Sequence, residues 1–229
     1  MNETKYRQAE AAFWEHYGVK PQERWLNLAK PKTKVRVLEV GEGEPLLFIH
    51  GGPGAASIFA PIASLLNDYH CILLDRPGCG LSPAISYTGT SLDRTMTDLI
   101  TSCLDALNLE KATIIASSFG GACAMWFSQR YPERVTQLVQ LGCPAFVSVM
   151  HTPMIMRLLA TRFVGYALAR APMNRSGVMS FMKTMGQDKA IAANKIPDTF
   201  VNWWISLVMV TDTMRNEREL IRNGLTPRG

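Results

Sequence analysis

A serine attacks an acyl carbon well only when its chain holds it rigidly exposed, and one stretch of this 229-residue chain has the residue types for such a turn. Thr113-Ile114-Ile115-Ala116-Ser117-Ser118-Phe119-Gly120-Gly121 reads as a buried strand running straight into a helix through a serine with small neighbours. A strand-to-helix turn that tight crowds the residues two before and two after its apex, so both must be small. Ser118 has Ala116 and Gly120 at those places, whereas Ser117 would have Ile115 and Phe119. Ser118 is the candidate catalytic nucleophile. The plainer alternative is a small-residue turn with no chemistry.

A second motif, His50-Gly51-Gly52-Pro53-Gly54, closes another short apolar run. A glycine-rich loop there can aim backbone N–H groups at a developing oxyanion. Pro53 has no N–H and cannot contribute; the expected pair of donors is the N–H of Gly52 with that of Phe119, the residue straight after the nucleophile at the positive end of the following helix. His50, at a strand end before a glycine run, suits bracing of the loop better than proton transfer. A third motif, Asp75-Arg76-Pro77-Gly78-Cys79-Gly80-Leu81-Ser82, reads as a turn after a strand, with Asp75 as a brace for the neighbouring loops and not as a triad acid. The pattern calls for no cofactor and no metal.

The elements that must position these residues alternate. Val35 to Val40, Leu46 to Ile49, Cys71 to Leu74, Ala112 to Ala116 and Val135 to Leu141 are short apolar bursts edged by Gly and Pro, as buried strands are. Between them come helical spacings: Ile58, Ile62, Leu65 and Leu66; a run to Leu107 opened by a capping-box-like Thr90-Ser91-Leu92-Asp93; and Phe119 to Arg130, stopped by Pro132. Such alternation implies an α/β fold with a mostly parallel sheet flanked by helices. Beyond Cys143-Pro144 the pattern turns helical, with helices expected over Val149 to Ala171, Gly177 to Met185 and Pro197 to Arg222. The expected division is a core over 1–145 and a helical cap over 146–229.

Composition narrows the function classes. Residues 1–145 hold 13 basic and 14 acidic side chains and residues 146–229 hold 11 and 5, so the net charge of +5 belongs to the C-terminal third. From Phe146 to Gln187 there is no acidic residue, and Arg157, Arg162, Arg170, Arg175 and Lys183 stand among Met, Phe, Tyr and Leu. This cap favours small apolar or anionic ligands, although Met and aromatic residues at helical spacing are also ordinary core. Basic residues interleaved with large apolar ones do not form the dense stripe of a nucleic-acid site. A basic amphipathic stretch from Met154 to Arg170 suits weak association with a membrane surface. No apolar run approaches the roughly 20 residues of a transmembrane helix. Five cysteines without a CxxC pair read as reduced thiols, and the charged N-terminus shows no secretory signal, so a cytoplasmic setting is expected.

Taken in this order and spacing, the three motifs resemble those of the α/β-hydrolase superfamily, over residues from about 20 to 145. The His-Gly-Gly-Pro-Gly form is similar to that of the proline iminopeptidase branch, which would place Gly52 in the oxyanion hole; Ala116 stands where the usual elbow has its first glycine. The resemblance implies a serine hydrolase cutting a small ester or related acyl substrate through an acyl-enzyme on Ser118, with an acid and a histidine on loops beyond the cap. Related enzymes that open epoxides or remove halides resemble this fold but carry aspartate at the place of Ser118. Only His151 follows Ser118 among the histidines, at the start of the cap. The chain is expected to stop before the strands that hold the other two triad members, leaving Val135 to Leu141 as a sheet edge. A function of a different class, a non-catalytic ligand-binding or scaffold protein on the same fold, remains the alternative.

Overall fold

The computed structural model describes residues 2–142 and 154–224. Strands β1 (Gln22–Leu28), β2 (Thr33–Val40), β3 (Glu44–Ile49), β4 (Tyr69–Leu74), β5 (Ala112–Ser117) and β6 (Val135–Leu141) form one sheet in the order β1-β2-β4-β3-β5-β6. The pairs β3–β4, β3–β5 and β5–β6 are parallel, while β1–β2 and β2–β4 are antiparallel. The expected mostly parallel sheet is thus present, with an antiparallel end built by the N-terminal hairpin.

Alternation along the central strands splits the core into two. Leu46 and Phe48 of β3, with Cys71 and Leu73 of β4, face one side; Leu47, Ile49, Ile72 and Leu74 face the other. The first side is covered by α1 (Glu3–Glu15) and α9 (Asp198–Val210), where Phe13 stacks on Trp203 with centroids 5.2 Å apart. The second is covered by α3 (Leu92–Ala106) and α4 (Ser118–Arg130) through Leu99, Cys103, Cys123 and Phe127. Both faces of β3 and β4 are therefore buried, which is why their sequences are continuous apolar runs.

Several details differ from the sequence expectation. The helix expected from Ile58 to Leu66 is only a 3-10 turn, Ala56–Phe59, and one turn of helix, α2 (Ala60–Ala63); Leu65 is exposed. At the start of α3 the N-cap is Ser91, and its hydroxyl bonds the Asp93 carboxylate instead of a backbone N–H, so no capping box forms. The single helix expected from Pro197 to Arg222 is two, α9 and α10 (Thr213–Gly224), broken at Thr211-Asp212. Ahead of them lie α5 (Met154–Ala160), α6 (Val164–Leu168), α7 (Arg175–Thr184) and α8 (Asp188–Ala192). Cys71, Cys79, Cys103 and Cys123 are buried and free; Cys143, His151 and the boundary expected at 145 and 146 lie outside the described residues. β6 ends the sheet on one side, half-exposed, with β1 on the other. Among the described residues no helix is long and apolar enough to cross a membrane.

Candidate active site

The β5–α4 junction has the strain that its sequence suggests. Ser118 has φ +49°, in the left-handed region that costs a residue with a side chain about 1–2 kcal/mol. Gly120 makes the turn possible: a Cβ there would fall 2.2 Å from the Ile49 carbonyl oxygen and 2.6 Å from that of His50. Ala116, in contrast, is buried among apolar side chains that accommodate its methyl group. The junction presses Ser118 against the loop after β3, since a Cβ on Gly51 would lie 2.7 Å from Ser118 Cβ and 3.4 Å from its Oγ.

His50 is fully buried beneath this loop. The backbone N–H of Arg76 donates to Nε2 at 3.1 Å, so that nitrogen carries no proton, and Nδ1 faces the Gly51 carbonyl at 2.6 Å. Burial, reinforced by the charge of Arg76, holds the imidazole pKa well below its ordinary value. Both ring nitrogens are taken, an arrangement that suits support of the loop.

Asp75 is also fully buried. One oxygen accepts from Ala56 N at 2.7 Å, and the other from Leu81 N at 3.1 Å and Arg36 Nη1 at 3.2 Å. Burial raises its pKa against the pull of Arg36, and Glu10 adds to the rise. Arg36 in turn pairs with Glu10 at 2.6 Å and Glu23 at 2.7 Å, and Glu10 accepts from Tyr6 and Ser57. One guanidinium thus ties α1, β1, β2 and the loop after β4 together.

Arg76 does the same on the other side of the loop. Its Nε donates to the His50 carbonyl at 3.0 Å, and its Nη2 donates to the Gly51 carbonyl at 3.2 Å and to Glu217 Oε1 at 2.6 Å. Its guanidinium lies 4.8 Å from the centre of the Phe119 ring. Glu217, on α10, occupies the space that a side chain on Gly52 would need: a Cβ there would come within 2.1 Å of Oε2. Asn216 and Thr213 key into the same loops, Asn216 over Gly78 and Thr213 accepting from Gly80 N at 3.1 Å.

His50, Phe119 and, through Glu217, Gly52 therefore lie around Arg76, and Ser118 packs against Gly51 in the same loop, whereas the Asp75 side chain belongs to the Arg36 cluster. Sequence reasoning gave no role to Arg76 or Glu217, nor to Arg36 and Glu10. The one available signal was on α10, where Thr213, Asn216, Glu217 and Leu220 share a helix face by spacing, and all four are buried. The acid-free interval from Phe146 to Gln187 also understates the carboxylates near the loop, because Glu217 comes from beyond it; Arg76 neutralises it.

The chain matches the alpha/beta hydrolase fold family over residues 44–204 and belongs to that family. It is 30% identical over 160 residues to a cis-3-alkyl-4-alkyloxetan-2-one decarboxylase of Shewanella oneidensis, across 68% of this chain and 50% of the relative. It is 36% identical over 127 residues to a 2-hydroxy-6-oxononadienedioate/2-hydroxy-6-oxononatrienedioate hydrolase of Paraburkholderia phymatum, across 52% of this chain and 44% of the relative. The chain thus spans about half the length of these curated relatives. Among solved structures it resembles carboxylesterase CesB of Bacillus subtilis, with a TM-score of 0.70 and 18% identity over 93% of this chain and 70% of that one. Naproxen esterase of the same organism superposes with a TM-score of 0.66 and 20% identity, covering 91% and 68%. At those identities the likeness is one of fold.

Proposed function

We propose that this chain carries the nucleophile half of a serine hydrolase that cleaves a small ester or related acyl substrate through an acyl-enzyme on Ser118. The observation that carries the reading is the left-handed Ser118 at a strand-to-helix junction, with Gly51 packed against its hydroxyl. In this reading Ser118 Oγ attacks the acyl carbon as its proton passes to a base, and the N–H groups of Gly52 and Phe119 hold the oxyanion of the tetrahedral intermediate. Collapse of that intermediate expels the leaving group, and water then releases the acyl group. The reading needs an imidazole beside Ser118; His50 is engaged on both nitrogens, and His151 lies outside the described residues. His50 and Asp75 act as loop supports, and the cap is formed within 146–229, from which α9 also packs on the sheet.

The substrate is apolar or anionic. Glu217, the carboxylate beside Gly52, is already paired with Arg76 and is not free to hold a substrate ammonium. The Paraburkholderia relative, named for a dioate, agrees with an anionic choice. A cytoplasmic setting goes with the buried free thiols.

The test is intact-mass analysis of the chain after exposure to a fluorophosphonate, with Ser118→Ala alongside. A single adduct lost in the variant supports an activated Ser118. Absence of an adduct on a folded chain means that Ser118 has no working base within it, which leaves either the nucleophile half of a hydrolase or the second reading, a binding or scaffold protein on this fold.

A further inference from the structure

The turn between α5 and α6 exposes large apolar side chains that the proposed chemistry does not use. Phe163 is 79% exposed, Tyr166 53% and Val164 50%, with Leu158 beside them on α5. This turn is held in shape. Thr161 Oγ1 donates to the Leu158 carbonyl and accepts from Gly165 N at 3.0 Å. Gly165 sits against the backbone of α5, where a Cβ would fall 2.1 Å from the Leu159 carbonyl oxygen. From α10, Arg218 Nη2 donates to the carbonyls of Thr161 at 3.2 Å and Arg162 at 2.9 Å. The exposed rings therefore project from a braced hairpin.

The charge around this tip has one sign. Arg157, Arg162 and Arg170 are exposed, and no ion pair engages them among the described residues. Arg162 lies over the Phe163 ring at 5.6 Å and Arg170 over the Tyr166 ring at 3.8 Å, so each of the two aromatic groups carries a guanidinium. The carboxylates of α10, packed behind the hairpin, are engaged elsewhere: Glu217 with Arg76 and Glu219 with Arg218. No acidic residue occurs between Phe146 and Gln187 to offset these arginines.

We propose that the α5–α6 hairpin, led by Phe163, Val164 and Tyr166 and flanked by Arg157, Arg162 and Arg170, docks on an anionic lipid surface. Aromatic and aliphatic side chains at such a tip enter the boundary between headgroups and acyl chains, while the arginines remain at the lipid phosphates and carboxylates. A nucleic acid would use the charge but leave Val164 and Leu158 without a role, whereas a bilayer interface uses both. Each arginine near a negatively charged leaflet adds modestly, so binding is reversible and sensitive to salt. The inference is independent of the assignment of Ser118, because it concerns a different surface and a different measurement.

The test is co-sedimentation of the 229-residue chain with phosphatidylcholine vesicles with and without phosphatidylserine, at low and high salt. Binding is expected only with phosphatidylserine at low salt. Phe163→Ser and the pair Arg162→Gln, Arg170→Gln are each expected to reduce the partition coefficient about tenfold, while Lys111→Gln, an exposed lysine outside the hairpin, leaves it unchanged. Circular dichroism on each variant confirms that it is folded. No binding at low salt overturns the proposal, as does binding that the hairpin variants leave intact. Retention on a heparin column that Phe163→Ser leaves equal, with no vesicle binding, would identify a plain polyanion site and overturn it as well.

Discussion

Arg76 and Glu217 form an ion pair at 2.6 Å between segments 141 residues apart, and the pair sits between Gly52 and Phe119. Both side chains are buried, so neither charge has water to fall back on. Truncating one partner strands the other, at a cost of about 3–5 kcal/mol, whereas replacing both with apolar groups of similar volume is far less damaging. Urea unfolding of Glu217→Leu, Arg76→Met and the double variant measures this. The double variant is expected to lose much less than the sum of the singles, although it also forgoes the Arg76 bonds to His50 and Gly51. Additive losses would mean that the two groups do not depend on each other.

Gly52 and Gly120 are both crowded, by different things. A methyl group on Gly120 meets two backbone carbonyls of β3 and its loop, which cannot move without shifting the sheet; one on Gly52 meets the end of the Glu217 side chain. Overpacking of this kind costs about 1–3 kcal/mol, with the upper end expected for Gly120→Ala. Glu217→Ala should relieve the Gly52→Ala clash and leave the Gly120→Ala penalty untouched. Stability measurements on the two pairs of variants read this out directly, and equal rescue of both would contradict the geometry.

The strain at Ser118 makes a prediction that needs no enzymatic assay. With φ at +49°, Ser118→Gly removes the steric cost of a Cβ, and Ser118→Ala keeps it. Ser118→Gly is expected to be more stable than Ser118→Ala by about 1 kcal/mol, the reverse of the usual order within a helix. The midpoint of thermal or urea unfolding decides it. An alanine variant as stable as the glycine one would place Ser118 in ordinary helical geometry.

The elbow and the sheet were legible because their rules are local. Ala116 and Gly120 flank Ser118 by a steric necessity of two residues' range, and β3 and β4 bury both faces, so their apolar runs stand out. Helix α1 and strand β1 were not legible. In β1 only Leu26 and Leu28 are buried, so the strand lacks a regular alternation; α1 shows a core-facing stripe only once α9 is there to receive Tyr6 and Phe13. The Arg76–Glu217 and Arg36–Glu10 pairs arise from tertiary contacts across 141 and 26 residues, for which spacing within a segment carries no signal.

His50 ties the site to pH through a proton it does not accept when folded. Its buried imidazole has a pKa held well below the usual 6.5, so the unfolded chain takes up a proton below that value and the folded one does not. Its contribution is therefore fully present above pH 6.5 and is lost progressively as pH drops below it. Glu23 has the same sign but a separate window: its pKa is lowered from 4.5 to about 2, so its share is lost only below 4.5. Asp75, with a raised pKa, titrates in the opposite sense, but it is common to wild type and a His50 variant and cancels in their difference. Urea unfolding between about pH 6.5 and about pH 5 should show wild type losing stability relative to His50→Asn, whose absolute stability is lower throughout. Parallel pH profiles for the two would mean that the His50 imidazole is free to charge in the folded state.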